Sequence, residues 1–100
     1  MKPVIFHSEA DAELAEAADY LDAQAAGLGR EFRLAFEESL SRILENPFLY
    51  AIEIDDVRAC PLRRFSHTIF YANLENAVWI VAISHHRRRP GYWRQRRFGE

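Results

Sequence analysis

The sequence is poor in the residues that usually fasten or anchor a small protein. Cys60 is the only cysteine, so no disulfide can form within the chain, and Pro61 directly behind it leaves the thiol without the neighbours of a metal site. The four histidines are scattered, and we expect no metal and no cofactor. Apolar runs fall far short of the roughly 20 residues of a membrane helix, and the first residues lack the hydrophobic core of a secretory signal. We therefore expect a cytoplasmic protein with no membrane segment.

Lysine is also scarce, and the charge that it leaves to arginine is unevenly distributed. Lys2 stands against twelve arginines. The first 56 residues carry four cations and thirteen acidic groups, whereas residues 57–100 carry nine arginines and two acidic groups. The formal net charge of −2 therefore hides an acidic first part and a basic second part. This split favours a basic face for nucleic acid or an acidic protein, although acids and arginines that neutralise each other across the fold would give the same counts.

The arginines are concentrated in one segment, HHRRRPGYWRQRR, at residues 85–97. It holds six arginines and two histidines around Tyr92 and Trp93. Arginine offers a planar, permanently charged group to phosphate or carboxylate, and an aromatic ring offers a stacking face. The segment is therefore predicted to contact a polyanion or an acidic partner surface.

Apolar spacing predicts two helices in the first half. After a short strand over residues 2–7, Ser8 is the predicted N-cap of a helix, with Asp11 in the capping-box position. This helix should run to about Ala25, and after a break at two glycines a second should run to about Glu45, just before an Asn-Pro pair. The apolar stripes with helical spacing are Leu14, Ala18, Leu21 and Ala25 in the first helix, and Phe32, Phe36, Leu40 and Ile43 in the second.

The second half of the chain has the pattern of strands. They are predicted over residues 57–60, with an extension to Phe65 left open, then 67–74 and 77–84, with Glu75 and Asn76 as a tight turn. The stretch 48–56 is expected to be irregular. The order β-α-α-β-β-β in one hundred residues predicts a single α+β domain, residues 1–100, in which a two-helix hairpin packs on a mostly antiparallel sheet.

The last predicted strand is apolar on both faces. Its residues alternate, so that Val78, Ile80 and Ala82 should point one way and Trp79, Val81 and Ile83 the other. This pattern is typical of a central strand buried on both sides, but one helical hairpin covers only one face. Either the aromatic tail around Tyr92 and Trp93 or a partner chain must cover the second face.

Three features together resemble the RelE/ParE superfamily of bacterial toxins. They are the element order, the segment RRFSHTIFY at residues 63–71 and the ending IVAISHHRRRPGYW at residues 80–93. The resemblance covers nearly the whole chain. It implies the toxin of a type II toxin–antitoxin pair, held inactive by an antitoxin protein, which becomes our first candidate for covering the second sheet face. The residues expected to contact the antitoxin are Leu14, Ala18, Leu21, Trp79, Val81 and Ile83.

The superfamily contains two mechanisms. RelE-like members cut messenger RNA in the ribosome, whereas ParE-like members are associated with poisoning DNA gyrase and lack nuclease chemistry. A nuclease needs a base, an acid, cations for the phosphoryl group and a stacking surface. The candidates for these roles are His85, His86, Arg63, Arg87 and Tyr92. RelE-like sequences also tend to carry lysines near the middle strands, and this chain has none there.

We therefore favour the ParE-like alternative, in which the protein is not an enzyme and docks on gyrase. The predicted target-binding residues are Arg63, Arg64, Arg87, Arg88, Arg89, Tyr92 and Trp93. A third alternative is an interaction module whose arginines bind only an acidic antitoxin. His7 and His67, which lie beside predicted strands, are expected to be capping or surface histidines.

Overall fold

The computed structural model describes residues 2–99, and its elements follow the predicted order with one added strand. The two helices are α1 (Ser8–Gln24) and α2 (Leu28–Glu45). The strands are β1 (Val4–Phe6), β2 (Ile52–Ile54), β3 (Val57–Pro61), β4 (His67–Asn73) and β5 (Val78–His85), and a 3-10 helix (Arg94–Phe98) follows them.

The five strands form one mixed sheet in the order β1-β5-β4-β3-β2. β1 lies parallel to β5, and every other neighbouring pair is antiparallel. The predicted fold class, a two-helix hairpin on a mostly antiparallel sheet, is confirmed. β2 lies within the stretch predicted to be irregular. The sequence does not predict this strand because three residues are too few for an alternating pattern to stand out. β3 ends at Pro61, so the extension to Phe65 does not form.

The helical hairpin covers one face of the sheet. Its two helices approach closely at Gly29, where a Cβ would lie only 2.4 Å from the Ala18 carbonyl oxygen. The Asp22 carboxylate accepts hydrogen bonds from the amides of Gly27 (2.9 Å) and Gly29 (3.3 Å), which fixes the turn between the helices. The buried side chains beneath the hairpin are those of Ala10, Leu14, Ala18, Phe32, Phe36, Ile43, Cys60, Leu62, Ile69, Tyr71, Val78, Ile80 and Ile83.

The ends of α1 differ from the prediction. His7, not Ser8, is the N-cap: its Nδ1 accepts a hydrogen bond from the Glu9 amide at 3.0 Å, and its carbonyl accepts one from the Asp11 amide. An imidazole nitrogen therefore accepts the hydrogen bond of the Glu9 amide in place of the predicted serine hydroxyl. At the other end, Ala25 is an exposed C-cap, so it is not part of the buried stripe.

β5 is buried on both faces, as its sequence predicts, but its residues are divided differently between the faces. The pairing with β4 shifts register between Phe70 and Tyr71, which leaves Val81 as an extra residue in β5. Such a bulge reverses the alternation of side chains beyond it. Ile83 therefore joins the core beneath the helices, and Ala82 packs on the opposite face with Val81.

The tail of the chain covers the second face of the sheet. Trp93 is only 1% exposed, and its ring stacks on Phe70 with the ring centres 4.5 Å apart. Val57, Val81 and Ala82 complete this second cluster. Of the two alternatives for covering this face, the structure therefore shows the aromatic tail, and the burial of Val81 and Ala82 needs no partner chain.

Candidate functional site

Both arginine segments of the sequence lie at one end of the sheet. β4 begins at His67 and β5 ends at His85, and these two residues are paired. The loop before β4 therefore lies beside the segment after β5, and the His86 amide donates a 2.9 Å hydrogen bond to the Ser66 carbonyl. We call the arginines gathered here the cationic end; they are Arg63, Arg64, Arg87, Arg88 and Arg89.

The cationic end keeps most of its charge accessible, because all five arginines are exposed. Arg64 lies 3.5 Å from the Glu31 carboxylate, and Arg88 lies 3.9 Å from that of Glu13. The Arg64–Glu31 pair joins two exposed side chains and contributes little free energy. Within the cationic end, the arginines that form no ion pair with any residue of 2–99 are Arg63, Arg87 and Arg89.

The other arginines of the tail are held against acidic side chains of the first part of the chain. Arg97 donates two hydrogen bonds to the Asp56 carboxylate, at 2.8 and 2.6 Å, and these bonds lower the pKa of Asp56. Arg94 lies 3.4 Å from Asp55. Arg96 is buried. The uneven charge of the sequence is therefore partly neutralised across the fold, while the cationic end remains basic.

Glu13 of α1 connects the tail to the sheet. Its side chain is 11% exposed and accepts four hydrogen bonds. Oε1 accepts from the Ile83 amide (3.0 Å) and from Arg96 Nη1 (2.9 Å). Oε2 accepts from the Tyr92 hydroxyl (2.6 Å) and from Arg96 Nη2 (3.2 Å). The sequence does not single out Glu13, because it is one of several acidic residues on α1 and all these partners are distant in the chain.

The two aromatic residues of the tail are engaged inside the fold. Trp93 packs on the sheet, so no face of its ring is free for another molecule. Tyr92 is half-buried and bonded to Glu13, and burial together with this hydrogen bond raises the pKa of Tyr92 to about 12. The Arg88 guanidinium lies over the Tyr92 ring, 3.8 Å from its centre. The predicted contact of Trp93 with a target would require the tail to leave the sheet, whereas half-buried Tyr92 keeps some accessible surface.

The three histidines at this end have different surroundings. His85 Nδ1 accepts a hydrogen bond from the Arg87 amide (3.0 Å), and His86 Nε2 shares one with the Thr68 hydroxyl (3.2 Å). His67 is not the predicted capping or surface residue, since it is only 8% exposed and its ring centre is 5.0 Å from that of His85. Burial, aided by the charges of His85 and His86, lowers the pKa of His67 to about 4.

The candidate nuclease residues are divided between separate places. His85 and His86 line a groove of about 220 Å³ together with Arg88 and Arg89. Arg63 lines a different cavity of about 250 Å³ against α2. A nuclease site would bring its base, its acid and its phosphate-binding cation to one reacting phosphate. Arg63, the candidate phosphate-binding arginine before β4, therefore does not share the groove of His85 and His86 in this conformation.

The residues predicted to contact an antitoxin lie mostly inside the molecule. Those with buried side chains are Leu14, Ala18, Val81 and Ile83. Leu21 is half-buried, and so is Trp79, whose indole nitrogen donates a 3.3 Å hydrogen bond to the Arg96 carbonyl. More accessible apolar surface lies beside the edge strand β2, where Phe48, Leu49 and Ile52 are each more than half exposed.

The described part of the chain offers neither a group of metal ligands nor a helix that could cross a membrane. Among residues 2–99, no group of histidine, cysteine and acidic side chains is placed to hold a metal ion. Over the same range, no helix has both the length and the apolar character needed to cross a membrane. Cys60 is fully buried, and burial raises the pKa of its thiol.

Comparisons with known proteins agree with this architecture. Residues 4–90 match the family model described as the ParE toxin of the type II toxin–antitoxin system parDE. Among solved structures, the chain is similar to the chromosomal ParDE TA system from P. aeruginosa, with a TM-score of 0.63 and 14% identity over 85% of this chain and 96% of that chain. No curated protein matches the sequence. Because the family match spans most of its length, the chain belongs to the ParE toxin family of type II toxin–antitoxin systems.

Proposed function

We propose that this ParE toxin inhibits DNA gyrase by binding through its cationic end, without cutting RNA. Family membership makes the chain the toxin of a type II pair, with an antitoxin as its partner. The choice of gyrase is supported by the resemblance to ParE-like members, which are associated with that target. The observation that carries the choice of surface is the hydrogen bond between His86 and Ser66, which joins the two arginine segments.

The physical case for docking is electrostatic. Five exposed arginines at one end of a protein with net charge −2 give a local positive field that speeds encounter with DNA or with an acidic protein surface. Because such attraction is screened by salt, inhibition should weaken as ionic strength rises. Docking needs only this surface, whereas cleavage would need the separated candidate residues to converge on one phosphate.

Supercoiling by purified gyrase tests the proposal. Arg87→Ala combined with Arg89→Ala removes two exposed charges that form no ion pair within residues 2–99, so the internal contacts of the tail stay intact. We expect at least about tenfold weaker inhibition, the loss produced by removing a few well-placed interface arginines. Arg30→Ala combined with Arg33→Ala removes the same charge from exposed positions on α2 and should leave inhibition nearly unchanged.

Three results would contradict the proposal. Undiminished inhibition by the Arg87 and Arg89 variant would show that the cationic end is not the binding surface. Cleaved messages in a translation reaction, with gyrase unaffected, would favour the RelE-like nuclease. If the wild-type protein affects neither gyrase nor translation and does not arrest growth, the interaction-module alternative is the better one.

The antitoxin is proposed to contact α1 around Leu21, the member of the predicted α1 set that keeps accessible surface. Leu21 lines a cavity of about 290 Å³ together with Leu28, Phe65 and Tyr20. Of these residues, Tyr20 is exposed. Aromatic residues beside such a cavity commonly dominate binding energy. Tyr20→Ala should therefore weaken antitoxin binding about tenfold in a titration, whereas Leu34→Ala, at an exposed apolar residue of α2, should not. Equal affinities for both variants would place the antitoxin elsewhere.

A further inference from the structure

β5 has an unpaired edge beyond the point where β1 ends. β1 pairs with β5 only over residues 78–80. Side chains form the hydrogen bonds of the backbone groups that follow on this edge. Glu13 Oε1 accepts a 3.0 Å hydrogen bond from the Ile83 amide, and Arg96 Nη1 donates a 3.4 Å hydrogen bond to the Val81 carbonyl oxygen. Two oppositely charged side chains, bonded to each other, therefore stand where a neighbouring strand would otherwise lie.

The same carboxylate reaches the cationic end through Tyr92 and Arg88. The Tyr92 hydroxyl donates a 2.6 Å hydrogen bond to Glu13 Oε2. The Arg88 guanidinium lies 3.8 Å from the centre of the Tyr92 ring and 3.9 Å from Glu13 Oε2. Arg88 is therefore held by a ring and a carboxylate while 54% of its side chain stays exposed. Its neighbours Arg87 and Arg89 form no ion pair within residues 2–99.

We propose that Glu13 is a positioning residue for target binding, because it fixes Arg88 as the preorganised anchor of the cationic end. The inference rests on the proposed function in one respect, since it takes the cationic end as the surface that meets the toxin's target. A mobile arginine loses side-chain freedom when it binds, and a pre-positioned arginine loses less. Arg88 therefore contributes more affinity than Arg87 or Arg89 does alone.

The role depends on the negative charge of Glu13. Each of its two oxygens accepts two hydrogen bonds, which a carboxylate can do. In Glu13→Gln one oxygen becomes an NH₂ group, which cannot accept from Arg96 and does not attract Arg88. The shape of the side chain stays nearly the same, and the remaining oxygen can still accept the hydrogen bond from the Ile83 amide.

A double-mutant cycle of Glu13→Gln and Arg88→Ala separates positioning from stability. Each full-length variant is expressed in bacteria without antitoxin, and the readout is the amount of toxin that halves growth, a measure that does not presuppose gyrase. Inhibition of gyrase supercoiling is measured in parallel. We expect Glu13→Gln to raise the required amount about fivefold in the wild-type background, and by less than about twofold in the Arg88→Ala background.

A penalty of equal size in both backgrounds would overturn the inference, because Glu13 would then act on the fold and not through Arg88. The absence of any penalty in the wild-type background would overturn it as well. A cycle that holds for growth but not for supercoiling supports the positioning role and overturns the choice of gyrase. A wild-type chain that does not arrest growth overturns both proposals.

Tyr92→Phe keeps the inference testable if Glu13→Gln does not fold. This change leaves the ring beneath Arg88 and removes the hydroxyl that bonds Glu13. The mobility of the Arg88 Nε–H group, measured by nitrogen relaxation, gives a readout that needs no target. We expect it to be ordered in the wild type and more mobile in Tyr92→Phe, because Glu13 Oε2 then loses the hydrogen bond that holds it beside Arg88. Unchanged mobility in Tyr92→Phe would overturn the inference.

Discussion

His67 should make the stability of the protein depend on pH in a range where most carboxylates do not titrate. Its ring lies 4.8 Å from that of Phe32 and 5.0 Å from that of His85, and its Nδ1 has no hydrogen-bond partner within residues 2–99. Protonation would place a charge in this buried site, and coulombic repulsion from His85 and His86 opposes it as well. The folded state therefore keeps His67 neutral down to acidic pH.

The size of the effect follows from the two pKa values of His67. Histidine in an unfolded chain has a pKa of 6.5, and burial in the fold lowers it to about 4. Between these values the unfolded state binds more protons than the folded state, so the free energy of unfolding falls as the pH falls. The loss amounts to about 2 kcal/mol at pH 5 and about 3 kcal/mol below pH 4. Well above pH 6.5, His67 is neutral in the folded and in the unfolded state, so this loss disappears.

Urea unfolding at pH 7.5 and at pH 5 measures this loss. His67→Gln removes the titrating group, and so does His67→Phe, which keeps an aromatic ring against Phe32. Either variant should lose about 2 kcal/mol less than the wild type between the two pH values. The readout is the change with pH, so any constant packing cost of the substitution cancels. His86→Gln, at an exposed position of the same sheet end, should keep most of the wild-type pH dependence, because burial is the largest cause of the lowered pKa of His67.

The same pH dependence in the wild type and in both His67 variants would refute this reasoning. It would mean that the imidazole of His67 takes up its proton at an ordinary pKa despite being only 8% exposed. Following the ring proton shifts of His67 by NMR during an acid titration gives its pKa directly. A midpoint near 6.5 would contradict the prediction in the same way.

Three further predictions concern packing and charge. Trp93→Ala should lower the free energy of unfolding by about 3–5 kcal/mol and make the protein bind apolar dyes, because it uncovers the second sheet face; denaturant unfolding and dye fluorescence check this. Gly29→Ala should cost about 1–3 kcal/mol, because its Cβ would meet the Ala18 carbonyl oxygen, and a thermal melt measures the cost. Arg97→Ala should cost no more than about 1 kcal/mol, because the Asp56 carboxylate that it binds is mostly exposed, and a larger loss in the same melt would contradict this.

The sequence predicts the parts of the fold that repeat a pattern over many residues. The helical stripes around Phe32 and Phe36 and the doubly apolar run of β5 identify the hairpin and the central strand. The bulge at Val81 is not visible in the sequence, because an extra residue in one strand depends on its pairing with the next. Ser8 is wrongly predicted as the N-cap because serine usually has this role, whereas His7, expected only as a capping or surface histidine, takes it in the structure.

The site is predicted less completely than the fold. The sequence places Arg63 and Arg87 in one functional group. The structure brings their segments together because the first residue of β4, His67, is paired with the last residue of β5, His85. Which arginines stay accessible could not be predicted, since ion pairs such as that of Arg97 depend on contacts between distant segments. For the same reason nothing in the sequence singles out Glu13, although its carboxylate accepts four hydrogen bonds in the structure.

The parallel pairing of β1 with β5 sets the order of events during synthesis. Val4 is paired with Val78, so the first strand emerges from the ribosome long before its partner exists. At about 5–20 residues per second, this delay is roughly 4–15 seconds. The helical hairpin, whose contacts are local, can form within that time, whereas the cationic end needs the residues that follow β5. A nascent chain can therefore complete the hairpin that is proposed to contact the antitoxin before the arginines that follow β5 have been made.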